Sequence, residues 1–181
     1  VATQMVESGD WLFPHRGSEL YSDKPPMLMW LQALSYTVVG NWRIAFLLPS
    51  LLAGLGTLWL VWDMGRRLFS PRAGLLAAIA VLSALMFSFQ FKRAQIDPLI
   101  TFLITGANWA LLRHLLGGPD WKSYWLGCFA AGLGVITKGV GVIALLMLLP
   151  YALACRAGWS GLTTTGRPGD GWRWAAGALA F

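Results

Sequence analysis

Residues 92–116 read KRAQIDPLITFLITGANWALLRHLL, and this stretch decides what kind of fold the chain can have. Two cations and an acid come first, and an apolar block then continues from Pro98 to about residue 116. A helix of that length can cross the hydrocarbon core of a bilayer with every backbone hydrogen bond satisfied internally. The stretch therefore predicts a membrane-spanning helix that begins beside charged residues.

The composition of the whole chain also indicates a membrane protein. Of its 181 residues, 56% are hydrophobic and 12% are charged, and this charged fraction is about half of what a soluble domain carries. We therefore predict an all-α fold, a polytopic transmembrane helical bundle of about five spans with the start of a sixth. The apolar blocks lie at about 44–62, 73–90, 98–116, 124–136 and 140–155, and a further one starts at Trp174.

The loops between these blocks predict an organisation and an orientation. Residues 1–43 are expected to form a periplasmic loop with an interfacial helix at 27–39, and residues 44–155 the transmembrane bundle. Residues 156–173 then form a cytoplasmic loop, and 174–181 begin a truncated span. Most cations lie in the loops on the cytoplasmic side, as the positive-inside rule requires. Because the basic residues sit between apolar blocks, the net charge of +6 does not indicate a nucleic-acid partner.

Tyr21-Ser22-Asp23-Lys24-Pro25-Pro26 is the first group of residues that suggests chemistry. The two prolines fix two φ angles and hold the preceding acid and lysine in an extended loop before a helix. One interpretation is a local ion pair of little energetic value. The other is that Lys24 lies at headgroup level and binds the phosphate of a lipid-linked substrate.

Asp97 and the cations Lys92, Arg93 and Lys138 form the second group. Asp97 begins the block at 98–116, where an acid can simply cap a helix N-terminus. However, Thr101, Thr105 and Asn108 continue from it as one polar stripe, which predicts an inward-facing helix around a wet cavity. Lys138 lies in a very short loop, and its alternative role is snorkelling to the interface. Crossing parity puts these four charged residues and Lys24 on one side of the membrane.

The chain resembles a known family at these residues. The order ESGDW, LYSDKPPMLMWL, GRRLFSPRAGLLAA, KRAQIDPLITF and ITKGVG is similar to the protein O-mannosyltransferase and aminoarabinose-transferase group of polytopic membrane glycosyltransferases, which have the C-type fold. The resemblance extends to about residue 155. It implies a bacterial inner-membrane enzyme that transfers a sugar from a polyprenyl-phosphate carrier to a periplasmic acceptor, which is a lipid such as lipid A, a protein or a glycan.

The resemblance also implies roles for individual residues. Tyr21 and Lys24 would contact the carrier phosphate, with Arg93 and Lys92 as further phosphate-binding cations. Asp97 would line the active-site cavity as the candidate catalytic residue. Asp23 stands where the family more often has Glu, an acid that contacts a divalent metal in some members. Its shorter side chain leaves the question of a metal cofactor open.

The resemblance assigns no role to Lys138, and it places the family's catalytic base before Val1. The sequence is therefore expected to be a fragment. The rival interpretations are a membrane transporter or lipid flippase, and a non-catalytic membrane subunit. Membrane lipids are expected partners in each case.

Overall fold

The computed structural model describes residues 1–12, 15–17, 19–20, 26–158 and 171–181, and these residues are mostly helical. The predicted all-α class is therefore confirmed. A 3₁₀ helix, Val140–Met147, connects the seventh α-helix to the eighth. The α-helices are α1 (Ala2–Ser8), α2 (Met27–Val39), α3 (Trp42–Leu68), α4 (Pro71–Ser83), α5 (Leu85–Phe91), α6 (Asp97–Gly117), α7 (Trp121–Lys138), α8 (Leu148–Arg156) and α9 (Gly171–Ala180).

The N-terminal stretch contains more regular structure than the predicted loop. The helix α1 buries Ala2 and Met5, and this burial is the physical reason that a short helix forms there. Two strands of two residues each, β1 (His15–Arg16) and β2 (Glu19–Leu20), pair in an antiparallel arrangement. The helix predicted at 27–39 is found with those bounds as α2. Its position at a membrane interface stays a prediction.

Fewer helices qualify as membrane spans than the five predicted. Among the described residues, α3 and α6 are long and apolar enough to cross a bilayer, and the bent pair α4 and α5 makes up to three. The block predicted at 124–136 lies in α7, whose lysines and polar first turn reduce its hydropathy. The block predicted at 140–155 corresponds to Val140–Arg156, an apolar segment shorter than 18 residues.

The chain divides into two compact units, residues 1–102 with 136–138 and residues 103–135 with 139–181. In the first unit, α3 and α4 form a helical hairpin. Ser70 caps α4 by accepting a hydrogen bond from the backbone N–H of Ala73 at 3.2 Å, and Pro71 occupies the first turn. The two helices meet at Gly65 and Gly74, where a Cβ on Gly65 would lie 2.6 Å from the Cα of Gly74. Only glycine permits this approach of two backbones.

The block predicted as one helix at 73–90 is broken. The chain bends by 72° between α4 and α5, and the backbone of Ala84 is extended at the break. The hydroxyl of Ser88 donates to the carbonyl oxygen of Leu82 at 2.5 Å, which satisfies a group that the break exposes. The ring of Phe91 packs against Gly54 of α3, where a Cβ would lie 2.5 Å from the ring. The broken segment therefore returns toward α3.

The second unit is organised around an aromatic cluster. Tyr124 and Cys128 of α7 pack with Leu111 of α6, and Trp174 of α9 covers them. The hydroxyl of Tyr124 donates to the carbonyl oxygen of Trp174 at 2.9 Å. His114 is fully buried in this cluster, with its ring 4.6 Å from the ring of Trp121.

Candidate functional site

An ion pair between Asp97 and Lys138 is the centre of the candidate site. The ammonium Nζ of Lys138 donates to Oδ1 of Asp97, although 41 residues separate them in the chain. The Asp97 side chain is 36% exposed and that of Lys138 is 46% exposed. Both groups belong to the first unit and are accessible from outside it. The sequence predicted that they share one side, and the structure brings them into contact.

The sequence around each residue explains where its side chain lies. Asp97 is in the first turn of α6, where an acid is stabilised by the helix dipole, and the fully buried Pro98 fixes the start of that helix. Lys138 is the last residue of α7 because Gly139 adopts a left-handed conformation, with φ of 79°. The N–H of Gly139 donates to the carbonyl oxygen of Val135 at 2.7 Å, which closes the helix. The pair thus joins the beginning of one helix to the end of the next.

Lys92 and Arg93 lie in the turn between α5 and α6, and both are exposed. The guanidinium of Arg93 stacks over the ring of Phe89 at 3.9 Å. The turn is anchored to α3 because the buried hydroxyl of Ser50 donates to the carbonyl oxygen of Gln95 at 3.1 Å. The structure therefore presents two exposed cations within five residues of Asp97 on an anchored turn.

The polar stripe of α6 lies away from the face that packs against the other described residues, and its predicted position around a wet cavity stays a prediction. Thr101 is exposed, and Thr105 and Asn108 are only partly buried. Packing follows apolar area, and the buried face of α6 consists of aliphatic side chains. That buried face contains Leu99, Ile100, Leu103, Ala107, Ala110 and Leu111.

Tyr21, Asp23 and Lys24 lie outside the described residues, so their predicted contacts with a phosphate stay predictions. The structure has no arrangement of three His, Cys, Asp or Glu side chains that could hold a metal ion in the part of the chain that it describes.

Sequence analysis missed a second charged cluster, at the C-terminal end of α3. Asp63 is fully buried and binds both Arg66 and Arg67, with Nε to carboxylate distances of 2.7 Å and 2.6 Å. The arginines were interpreted only as orientation signals. Their spacing of three and four residues from an acid on one helix was the signal that could have identified the cluster.

Comparison with known proteins agrees with this architecture. The family described as dolichyl-phosphate-mannose-protein mannosyltransferase matches residues 23–167, which is most of the chain. The chain belongs to this family. The matched range includes Lys24, Lys92, Arg93, Asp97 and Lys138. The resemblance stated from the sequence is therefore confirmed.

Curated members of the wider group are similar over most of the chain. The undecaprenyl phosphate-α-4-amino-4-deoxy-L-arabinose arabinosyl transferase of Pectobacterium atrosepticum is 29% identical over 163 residues, which cover 85% of this chain and 29% of the relative. A second such transferase, from Sodalis glossinidius, is 30% identical over 168 residues, and the match again covers 29% of the relative. The chain thus spans less than a third of the length of these relatives.

Solved structures extend the comparison to the fold. The crystal structure of ArnT from Cupriavidus metallidurans bound to undecaprenyl phosphate superposes with a TM-score of 0.82 at 25% identity. The superposition covers 99% of this chain and 33% of ArnT. The apo structure of the same protein gives a TM-score of 0.80. The described fold is therefore similar to one part of a larger family member.

Proposed function

We propose that this chain is part of a membrane glycosyltransferase that transfers a sugar from a polyprenyl-phosphate donor to an acceptor. The observation that carries the proposal is the group of Lys92, Arg93, Asp97 and Lys138 at one end of the apolar helix α6. Cations beside apolar helices suit a ligand with a phosphate head and a hydrocarbon tail. The name of the curated relatives and the undecaprenyl phosphate bound to ArnT favour the same class of donor.

In the proposed reaction an acceptor hydroxyl attacks the anomeric carbon of the sugar. The bond from that carbon to the phosphate oxygen breaks, and polyprenyl phosphate leaves with the electron pair. Lys24, Arg93 and Lys92 hold the phosphate, and Tyr21 contacts it, as negative charge develops there. Asp97 lines the cavity beside the sugar. The proton of the acceptor goes to a carboxylate base that the family resemblance assigns to another part of the transferase.

The proposed location is the bacterial inner membrane, with the site on the periplasmic side. The relatives carry 4-amino-4-deoxy-L-arabinose in their names, so this sugar is the first donor to test. Lipid A is the first acceptor to test, and protein and glycan acceptors are the alternatives. A transporter or flippase would move the lipid-linked sugar across the bilayer without breaking the bond to phosphate.

The test measures sugar transfer in proteoliposomes that contain the full-length transferase and the undecaprenyl-phosphate-linked aminosugar. We expect Lys24→Ala to reduce transfer on the order of 10²-fold while insertion into the membrane is unchanged. Lys122→Ala is the control because Lys122 is an exposed lysine at the start of α7, at the opposite end from Lys138. Normal turnover by the Lys24→Ala variant would refute its phosphate role. Movement of the intact donor without transfer would favour the transporter.

A further inference from the structure

The ion pair of Asp97 and Lys138 is held in place by more than its own attraction. Pro98 follows the acid and is fully buried, and Thr137 precedes the lysine and is also fully buried. The left-handed Gly139 ends α7 immediately after the lysine. These features fix both helix ends, so the two charged groups are held close together by the fold.

Stability alone does not account for this arrangement. Exposed ion pairs contribute little to stability, because water screens the attraction and two side chains lose rotamer freedom. More than a third of each side chain is exposed here. The pair is fixed at both helix ends but adds little stability. A chemical role of Asp97 therefore explains the arrangement better.

We propose that Lys138 is a positioning residue for Asp97, an inference that rests on the proposed function. Its ammonium binds Oδ1 and so orients the carboxylate at the start of α6 toward the donor sugar. The lysine itself does not react. It keeps an acid in place beside a site whose other predicted charges, Lys92 and Arg93, bind the anionic leaving group.

The test compares sugar transfer by the full-length transferase with Lys138→Met, Lys138→Arg and Asp97→Asn. We expect Lys138→Met to lower kcat on the order of 10²-fold, the cost of a carboxylate displaced by about 1 Å, while the KM for the donor changes little. Lys138→Arg recovers most of the rate because it restores the charge. Lys122→Met is the matched control and should transfer sugar normally. Thermal unfolding in detergent verifies that every variant folds, and Lys138→Gln provides a second uncharged substitution.

A charge reversal separates positioning from a purely structural role. The double variant Asp97→Lys with Lys138→Asp restores the attraction but moves the carboxylate to the other helix. We expect it to fold but to be less stable than the wild type, because each charge then opposes the dipole of its helix, and to be as inactive as Asp97→Asn, whereas a structural pair would regain activity. If Lys138→Met had the wild-type kcat, or if the reversed pair were active, the inference would be overturned and the proposed function would stand. If the unsubstituted transferase moved no sugar from this donor, the proposed function would fail and the inference with it.

Discussion

Asp63 and Asp97 are acids of the first unit that bind cations in the part of the chain that the structure describes, and they differ in burial and in the distance to their partners. Asp63 is fully buried and binds Arg66 and Arg67, its neighbours three and four residues along α3. Asp97 is partly exposed and binds Lys138 at the end of another helix. A local cluster around a buried acid stabilises one helix end, whereas a distant pair at the surface leaves its acid accessible to a ligand. Burial and distance along the chain therefore separate a structural acid from a candidate functional one.

The surroundings of Asp63 support its structural role. Arg66 also stacks over the ring of Trp62, with 4.6 Å from the guanidinium carbon to the ring centroid. The cluster lies beside Gly65, where the backbones of α3 and α4 come into contact. The negative end of the helix dipole also stabilises the two arginines, because both lie in the last turn of α3. Asp63 thus neutralises and orients the cations at the tip of the hairpin.

The largest expected effect is on stability, from Asp63→Ala. This change removes the charge-assisted hydrogen bonds from two partly exposed arginines and should reduce the free energy of unfolding by about 3 kcal/mol. Asp97→Ala is the matched substitution and should cost about 1 kcal/mol or less, since its pair is exposed. Thermal unfolding of both variants in detergent measures the difference. Equal destabilisation by the two would contradict the distinction between the clusters.

Much of the fold was predictable because it follows from local patterns. The helix at 27–39 was predicted with its observed bounds, since Pro26 precedes it and Gly40 ends it with a φ of 68°. The break at Ala84 was not predictable, because alanine favours helices and the apolar block continues through it. It is accompanied by a local hydrogen bond from the Ser88 hydroxyl to Leu82 and by the packing of Phe91 against α3, and the second of these is a tertiary contact.

The candidate site was predictable as a set of residues but not as a geometry. Counting membrane crossings put Asp97 and Lys138 on one side, yet a contact between residues 41 apart depends on how two helix ends meet. The surroundings of the polar stripe through Thr101 were not predictable for a related reason. Periodicity identifies a polar face, but only the packing of the other helices determines which face is covered.

A second prediction concerns the glycine contact beside the Asp63 cluster. A Cβ on Gly74 would meet the backbone of Trp62 and Arg66, so Gly74→Ala should cost about 1–3 kcal/mol despite the better helix propensity of alanine. Gly117→Ala is the control, because a Cβ there would meet open space at the end of α6. Thermal unfolding should show a loss for the first and almost no change for the second. A neutral Gly74→Ala would mean that the hairpin is loosely packed and that Asp63 alone stabilises it.

The smallest expected effect concerns Asp120, which has a partner close in the chain, as Asp63 does, and a side chain that is 36% exposed, as that of Asp97 is. It caps α7, and its carboxylate accepts from the N–H of Ser123 at 3.2 Å and from the hydroxyl of Ser123 at 2.5 Å. The hydrogen bond from the Ser123 hydroxyl lowers the pKa of Asp120 below its usual 3.8, and Arg113 acts in the same direction. The ionised group therefore stabilises the folded state fully above pH 3.8, and this contribution is lost as the pH falls through the lowered value.

Asp120→Ala should consequently cost about 1 kcal/mol at pH 7, as loss of a helix cap does, and the cost should shrink in strong acid. Ser70→Ala removes the cap of α4, whose hydroxyl does not titrate, so its cost should persist where that of Asp120→Ala declines. Unfolding of both variants against the wild type from pH 7 to pH 2.5 compares the two caps. A cost for Asp120→Ala that does not vary with pH would mean that its charge adds nothing to the cap. The carboxylate of Asp120 would then stabilise the helix end only as a hydrogen-bond acceptor. Charge would contribute to stability only at a buried acid such as Asp63.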